Sequence, residues 1–322
     1  MQQQHTVCDF NSSDSWVVLS PIEQSIKRKI ETVGTPLKDW DINIYRGVLT
    51  GCNEAFIIST EKRNEILANC KDEEERKRTD NIIRPILRGR DIKRYGYEWA
   101  DLWLIATFPA RNYDIEEYPA VKDYLLSFAE NKLRDAGYHW VADRYLADFC
   151  KQKLEQTGKF VKIAGENIKI GNTPEKARKK TSNKWFETQD SISYWEEFYK
   201  QQIIWIELSD EPKFALAESI MSVNTVFFMT GNHILHILGL LNSKLITWYF
   251  KNCLGTTSGV GTNRWLKYTI EQIPIAPVST ELERLAFEIS RKYQAEKNTK
   301  IDLYACLLYN LSEKETNYII SQ

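Results

Sequence analysis

Residues 202–208 (QIIWIEL) and 225–230 (TVFFMT), followed by the apolar stretch 232–251, decide the fold class of this chain. The two short runs are rich in β-branched and aromatic residues and predict strands. The third stretch is long enough for an apolar helix or a helix pair. Strand-like and helix-like segments alternate irregularly along the chain, so we expect an α+β fold rather than a doubly wound sheet.

Further helices and strands are predicted on both sides of this region. Ser20 and Pro21 are typical of an N-cap and a first helical position, and Gly34 ends the helix that they begin. Ser312 and Glu315 form a capping-box pattern at the start of the last helix. The other predicted elements are two strands within 40–59 that flank a turn at 50–53, a charged helix at 61–79, a buried strand at 102–107, a long helix at 116–136, and closing helices at 281–295, 298–309 and 313–320.

The composition is that of a folded, reduced protein. With 322 residues, of which 43% are hydrophobic, the chain can bury a large core. Its six cysteines lack the spacings of zinc sites, which predicts a reducing, cytoplasmic setting. No signal-like segment opens the chain, and its apolar runs are far shorter than the ~20 residues of a membrane span, so no membrane partner is expected. Residues 1–14 are polar and aperiodic, and we expect a disordered leader or a connection to an upstream segment.

Positive charge is concentrated in two short segments. The formal net charge of −1 argues against a protein that coats nucleic acid indiscriminately. The first basic island, residues 84–94 (RPILRGRDIKR), has five basic residues against one aspartate. The second basic island, residues 169–184 (KIGNTPEKARKKTSNK), has six against one glutamate and is predicted to be an exposed loop. Both islands are candidate contacts for a polyanion.

The motifs of a methyltransferase are missing from the sequence. Adenine methyltransferases need a glycine-rich turn for the methyl donor and an Asn-Pro-Pro-Tyr or Asp-Pro-Pro-Tyr cluster for the target base, and neither occurs here. Residues 259–261 (GVG) lack the third glycine and the preceding strand of a dinucleotide-binding turn. We therefore interpret residues 255–261 as a flexible loop.

Two other patterns resemble catalytic or metal sites without completing one. Asp123 with Glu130 and Lys132 matches the letters of a nuclease motif, but all three fall on one predicted helix instead of on strands. His233 and His236 have a spacing that suits a shared metal, but no nearby Asp, Glu or Cys completes the ligand set. The sequence therefore predicts a chain that is not catalytic by itself and holds no metal.

Several sequence blocks follow one another from near residue 40 to the end of the chain. They are residues 47–58 (GVLTGCNEAFII), 83–95 (IRPILRGRDIKRY), 118–125 (YPAVKDYL), 240–244 (LLNSK), 270–275 (IEQIPI) and 301–320 (IDLYACLLYNLSEKETNYII). In this order the blocks resemble the TaqI-like C-terminal specificity domain of type IIG restriction-modification enzymes and adenine-specific DNA methyltransferases.

This resemblance implies a fold and a function. It implies an irregular mixed-sheet target-recognition domain at 37–278, preceded by a linker and helix at 1–36 and followed by a helical segment at 279–322. The domain would recognise a sequence in double-stranded DNA for a type II, IIG-like enzyme of phage defence that methylates adenine N6. The catalytic domains, which include a methyltransferase domain in cis or in trans, would bind S-adenosylmethionine and, where the enzyme also cleaves DNA, Mg²⁺. This chain, as a fragment or a separately encoded subunit, would carry no cofactor.

Ten residues are candidate DNA contacts. Arginine pairs bidentately with guanine, lysine neutralises phosphate, and asparagine pairs with adenine. Each group also has a structural alternative. The first basic island could form internal ion pairs such as Arg90 with Asp91, Asn53 could be an ordinary turn residue, and the second basic island could be an exposed loop without a ligand. The candidates are Arg84, Arg88, Arg90, Lys93 and Arg94 in the first basic island, Lys179 and Lys180 in the second basic island, Asn53 in the turn at 50–53, and Arg264 and Lys267 beside the 255–261 loop.

Other functions stay open at this point. A phage-defence methyltransferase of the same architecture fits the same blocks. A standalone Mg²⁺-dependent nuclease would use Asp123, Glu130 and Lys132. A protein-interaction module of a phage-defence system would use the helices at 281–320 as its docking surface. A type I specificity subunit is excluded, because its two recognition halves are separated by coiled-coil helices longer than any predicted here.

Overall fold

An antiparallel sheet of four strands lies between two hydrophobic cores in the computed structural model, which describes residues 19–135, 160–163, 166–169, 182–254, 257–258 and 262–322. Alternate residues of this central sheet enter different cores: Ile204 and Phe228 the first, Ile203 and Met229 the second. Both faces are therefore buried, which explains why the sequence of these strands reads as nearly continuous apolar runs. In sheet order its strands are β10 (Ala215–Glu218), β8 (Gln201–Ile206), β12 (Val226–Gly231) and β2 (Ile42–Arg46).

A second, mixed sheet encloses the first core together with helices from the N-terminal half. Its strands, in sheet order, are β11 (Met221–Ser222), β4 (Ile83–Leu87), β5 (Leu102–Ile105) and β3 (Ile57–Ser59), and only the β11–β4 pair is parallel. The accompanying helices are α2 (Asn53–Phe56), α3 (Thr60–Ala68), α4 (Glu73–Ile82) and α5 (Pro119–Asp135).

Helices cover the other face of the central sheet and enclose the second core. They include α1, whose Ser20 N–H donates to Glu23 Oε2 (2.7 Å) as in a capping box. Trp265 and Tyr309 are among the largest side chains buried there. In chain order these helices are α1 (Pro21–Val33), α6 (Ile234–Leu241), α7 (Lys244–Tyr249), α8 (Lys267–Ile270), α9 (Thr280–Arg291), α10 (Ala295–Leu308) and α11 (Glu313–Ile320).

Small strand groups complete the architecture. They are β9 (Leu208–Ser209) with β13 (Thr257–Ser258) and β14 (Thr262–Arg264), β1 (Thr35–Pro36) with β15 (Pro274–Ile275), and the hairpin of β6 (Phe160–Ile163) and β7 (Glu166–Lys169). In the described part of the chain, no helix has both the length and the apolar character needed to cross a membrane. The predicted α+β fold with C-terminal helices is confirmed, whereas the boundaries at 36 and 278 stay a prediction.

One local prediction was wrong, and for another the structure supplies the strand pairing that the sequence left open. The strands predicted around residues 50–53 exist, but β2 pairs with β12 and β3 pairs with β5. They are not partners because Val48 bridges to Val223, so the chain leaves the central sheet before it reaches Gly51. The charged helix predicted at 61–79 is two helices, α3 and α4.

Asp72 explains why the charged helix is interrupted. Its side chain accepts the backbone N–H of Glu75 (2.7 Å), and Glu75 accepts the backbone N–H of Lys71 (2.9 Å). This reciprocal capping starts a new helix. Glu75 is fully buried and also accepts the N–H of Ala120 (3.0 Å), so it fastens α4 to the start of α5.

Glu315 makes the fold sensitive to acid. Burial raises the pKa of this carboxyl, but hydrogen bonds from Lys29, from Ser312 and from Ser25 outweigh burial and lower its pKa to about 2. A carboxyl whose pKa falls on folding stabilises the native state above its ordinary pKa of 4.5, and that contribution disappears as the pH falls towards 2.

We therefore expect Glu315→Gln to cost about 2 kcal/mol of unfolding free energy at pH 7 and little at pH 2. Urea unfolding followed by circular dichroism between pH 7 and pH 2 measures the difference. Glu313→Gln, an exposed change on the same helix, is the control. An equal loss for Glu315→Gln at both pH values would contradict the assignment.

Candidate nucleic-acid interface

The first basic island forms the end of β4 and the turn that follows it. Arg88 donates from Nε to Asp91 Oδ2 (3.1 Å) and from Nη2 to Asp91 Oδ1 (2.9 Å), and its backbone N–H also donates to Oδ2 (2.9 Å). Burial raises the pKa of Asp91, but the bonds from Arg88 outweigh it and lower that pKa. This pair fixes the 3-10 turn Gly89–Asp91. An internal ion pair was the structural alternative for this island, and it joins Asp91 to Arg88 instead of to Arg90.

Arg94 anchors the other end of the island to the helices. Its guanidinium donates to the carbonyl oxygen of Asn242, the residue that caps the C-terminus of α6. A helix C-terminus has carbonyl groups without intrahelical partners, and a cation there is favourable. Next to Arg94, the fully buried Tyr95 donates its hydroxyl to Asn298 (3.1 Å). Arg94 is therefore half-buried, and its guanidinium is already hydrogen-bonded to the protein.

Arg90 and Lys93 lie on the surface, at a cavity of about 490 Å³. The same cavity is lined by Arg46 from the end of β2 and by Lys213, which precedes β10. One acidic side chain, Glu207, lines it as well. We call this site, defined by Arg46, Arg90, Lys93, Glu207 and Lys213, the basic groove. Among the described residues that line the cavity there are four cations and one carboxylate, and Lys93 also lies 3.5 Å from Glu98, which does not line it. This excess of cations makes the groove attractive to a polyanion.

Gly89 allows the turn to lie against the floor of the basic groove. A Cβ atom at this position would come within 2.9 Å of the Ile206 side chain on β8. Real Cβ atoms do not approach that closely, so a side chain here would push the turn away from the sheet. The glycine thereby holds Arg90 beside the cations of the central sheet.

Arg264 joins the basic groove at its rim, and Lys267 does not. The guanidinium of Arg264, on β14, is paired with Glu207 Oε1 at 2.5 Å. Lys267 donates to the backbone carbonyl of Ile44 (3.2 Å) and lies 3.7 Å from Glu271. The two candidates near the 255–261 loop therefore have different surroundings, and only Arg264 is connected with the groove.

The remaining candidates lie elsewhere or outside the described residues. Arg84 faces a different cavity, where its guanidinium lies over the ring of Tyr199 at 5.0 Å. Asn53 is exposed at the start of α2, and its Oδ1 accepts a hydrogen bond from Thr50 (2.6 Å). Lys179 and Lys180 lie outside the described residues. Their contacts with DNA, like those of the other candidates, stay predictions.

The two histidines with metal-like spacing, His233 and His236, make hydrogen bonds within the protein. His233 Nδ1 lies 3.1 Å from Glu283, and His236 Nε2 lies 2.9 Å from the carbonyl oxygen of Ala276. Burial lowers the pKa of His236 and favours its neutral form. Among the described residues, no three His, Cys, Asp or Glu side chains are grouped as metal ligands. Asp123, Glu130 and Lys132 all lie on α5, as their spacing predicts.

Sequence reasoning missed Arg46 and Lys213. Each is a single basic residue at the end of a strand or in a short connection, and nothing in its neighbourhood marks it. The register that places β2 beside β12, and β8 between β12 and β10, brings them to one groove. No local sequence signal contains that register.

Comparisons with known proteins agree with the resemblance seen in the sequence. Residues 147–275 match the TaqI-like C-terminal specificity domain, so that resemblance is confirmed. The matched range contains Glu207, Lys213 and Arg264, whereas the first basic island precedes it. No curated protein matches the chain.

Two solved structures are similar to this chain over most of its length. The type IIL restriction-modification enzyme MmeI, solved in complex with DNA, is 12% identical with a TM-score of 0.46, over 89% of this chain and 37% of its own. The type IIG restriction endonuclease BpuSI is 11% identical with a TM-score of 0.45, over 90% of this chain and 32% of its own. The chain spans about a third of the length of each of these structures.

Proposed function

Because residues 147–275 match a TaqI-like specificity domain, we propose that this chain is the DNA-recognition region of a type II restriction-modification enzyme. Its basic groove would bind double-stranded DNA. The observation that carries the proposal is the convergence of Arg46, Arg90, Lys93 and Lys213 on one cavity in a chain of nearly neutral net charge. A local excess of cations of this kind favours binding of a polyanion at one site without making the whole surface bind nucleic acid non-specifically.

The chemistry of the side chains suggests which residues of the groove contact phosphate and which contact bases. Lys93 and Lys213 are compact point charges suited to phosphate, where contact gives affinity and orientation. Arg46 and Arg90 have planar guanidinium groups that match the O6 and N7 acceptors of guanine in the major groove. Arg90 is on a turn that the Arg88–Asp91 pair holds in place, so its backbone would lose little conformational freedom when its side chain contacts a base edge.

Glu207 would set the selectivity of the groove. Its carboxylate lies among the cations and is paired with Arg264. A carboxylate accepts a hydrogen bond from cytosine N4 and repels phosphate. We therefore propose that Glu207 limits non-specific binding and either reads a base or releases Arg264 to do so.

The chemistry that follows recognition would belong to other domains. We propose that a methyltransferase domain, in cis or in trans, uses S-adenosylmethionine to methylate adenine N6, and that any cleavage uses Mg²⁺ bound outside this chain. The enzyme would act in phage defence, in the cytoplasm. Mapping methylated adenines in the source genome, with and without this gene, would identify the recognition sequence.

We expect Arg90→Ala combined with Lys93→Ala to weaken duplex binding by about tenfold or more and to reduce the salt slope by roughly two. Two phosphate or base contacts disappear, and fewer counterions are released on binding. Fluorescence anisotropy with a labelled duplex across a salt series measures both quantities. Arg76→Ala with Lys77→Ala, which removes the same charge at a different cavity, is the matched control.

Two further results decide the proposal. Glu207→Gln should tighten binding to a scrambled duplex, because the carboxylate of the groove that repels phosphate becomes neutral. Arg90→Ala alone should lose more affinity on the recognised sequence than on a scrambled one, by about 1–3 kcal/mol. Failure of the intact chain to bind any duplex at low salt would contradict the proposal. Equal losses on both duplexes would remove Arg90 as a base reader.

A further inference from the structure

Three arginines and several aromatic rings line a second cavity, apart from the basic groove. Its volume is about 390 Å³, which falls in the range of ~300–1,000 Å³ typical of small-molecule sites. Among the described residues that line it, none is acidic. We call this site the arginine–aromatic pocket and define it by Arg78, Arg84, Arg111, Tyr113, Trp195 and Tyr199.

Different elements position the three guanidinium groups. Arg78 comes from α4, Arg84 from β4, and Arg111 from the 3-10 helix Pro109–Arg111. Among the described residues, none of the three has a carboxylate oxygen within 4.0 Å of its guanidinium. Arg78 donates a long hydrogen bond to the carbonyl oxygen of Glu117 (3.5 Å), and its buried Nε has no acceptor there. An arginine cluster without paired acids is suited to an anion such as phosphate.

The aromatic rings give the pocket flat surfaces. Arg111 lies 3.8 Å above the ring of Trp195, and Arg84 lies 5.0 Å above the ring of Tyr199. Trp195 and Tyr199 meet edge to face at 6.0 Å between ring centroids. A base stacks on an aromatic ring or on a planar guanidinium, and these stacked pairs offer both.

We propose that the arginine–aromatic pocket binds a single nucleotide, with its phosphate on the arginines and its base stacked against the rings. Arginines alone would suit any anion, and rings alone would suit any flat apolar molecule. A nucleotide joins the two chemistries in one ligand of matching size. The nucleotide is either free or an unstacked unit of a DNA single strand. The proposal goes beyond duplex recognition and does not depend on it.

Isothermal titration with deoxyadenosine monophosphate tests the proposal, and deoxyadenosine and inorganic phosphate separate the two parts of the ligand. We expect the nucleotide to bind and each part alone to bind at least about tenfold more weakly. Trp195 should report the same event, so quenching of tryptophan fluorescence should follow the titration and be reduced in Trp195→Phe. Absence of nucleotide binding would overturn the proposal, as would phosphate binding as tightly as the nucleotide.

Variants assign the binding to this pocket. Arg84→Ala and Arg111→Ala should each reduce nucleotide affinity about tenfold or more. Arg76→Ala is the matched control, because Arg76 lies on the same helix as Arg78 but lines another cavity. An equal loss in Arg76→Ala would overturn the assignment. Tyr199→Ala, at a side chain already 37% exposed, tests the stacking surface if an arginine variant fails to fold.

Two more measurements identify the source of the nucleotide and separate the two sites. A single strand of about ten nucleotides should compete with the free nucleotide; tighter binding of the strand identifies DNA as the source, and weaker binding identifies a free nucleotide. Arg90→Ala, in the basic groove, should leave nucleotide binding unchanged. Loss of nucleotide binding in that variant would overturn the independence of the two sites.

Discussion

Replacing Trp265 with alanine is expected to lower the free energy of unfolding by about 3–5 kcal/mol. The side chain is 1% exposed, and its ring stacks on Phe250 with 3.8 Å between centroids. Its Nε1 donates to the carbonyl oxygen of Ser209 (3.1 Å), on the strand next to β14. Alanine would leave a cavity in the second core and a buried acceptor without its donor, and each of these is destabilising.

Urea unfolding followed by far-ultraviolet circular dichroism measures this loss. Tyr268→Ala, three residues away at a side chain 59% exposed, is the control and should change stability by less than about 0.5 kcal/mol. Because Arg264 directly precedes Trp265, we also expect the rim of the basic groove to lose order. A loss below about 1 kcal/mol for Trp265→Ala would contradict the packing described above.

The second large effect concerns Asp91. We expect Asp91→Ala to cost about 2–4 kcal/mol, because the buried carboxylate accepts three hydrogen bonds from Arg88. The pKa of Asp91 is lowered in the folded protein, so this stabilisation is present above its ordinary pKa of 3.8 and is lost as the pH falls below that value. The same change would free the turn that carries Arg90 and weaken duplex binding.

A double-mutant cycle with Arg88→Ala measures the pair directly. We expect a coupling energy of at least about 1 kcal/mol near pH 7 and a smaller one at pH 3. Asp123→Ala, at an exposed aspartate of α5, is the control for loss of a carboxylate. Additive effects of Asp91→Ala and Arg88→Ala would show that the two residues act independently, against the geometry seen here.

What the sequence could predict was local. Pro21 after Ser20 marks the start of α1, and Ser312 with Glu315 marks the start of α11, because capping depends on residues three apart. The same signature at Asp72 and Glu75 was available and would have divided the charged helix correctly. The α+β class followed from the order of such local signals.

What the sequence could not predict was the pairing of distant segments. The strands β2 and β3 were recognisable, but their partners β12 and β5 come from elsewhere in the chain. The basic groove depends on that pairing, because Arg46 and Lys213 have no basic neighbours to mark them. Within the first basic island, charge alone did not reveal which arginine pairs with Asp91. That choice depends on the 3-10 turn, which places Asp91 against the backbone N–H of Arg88.

The position of β2 in the central sheet has a consequence for biosynthesis. The ribosome completes the residues of β2 at Arg46, long before its partner β12 begins at Val226. At a ribosomal elongation rate of about 5–20 residues per second, β2 waits roughly 10–40 s for its partner. During that interval Ile44 and Tyr45 are exposed on an unpaired strand, where nascent chains can associate with one another. Slow elongation or crowded polysomes should therefore favour aggregates, and chaperones that bind nascent chains should suppress them.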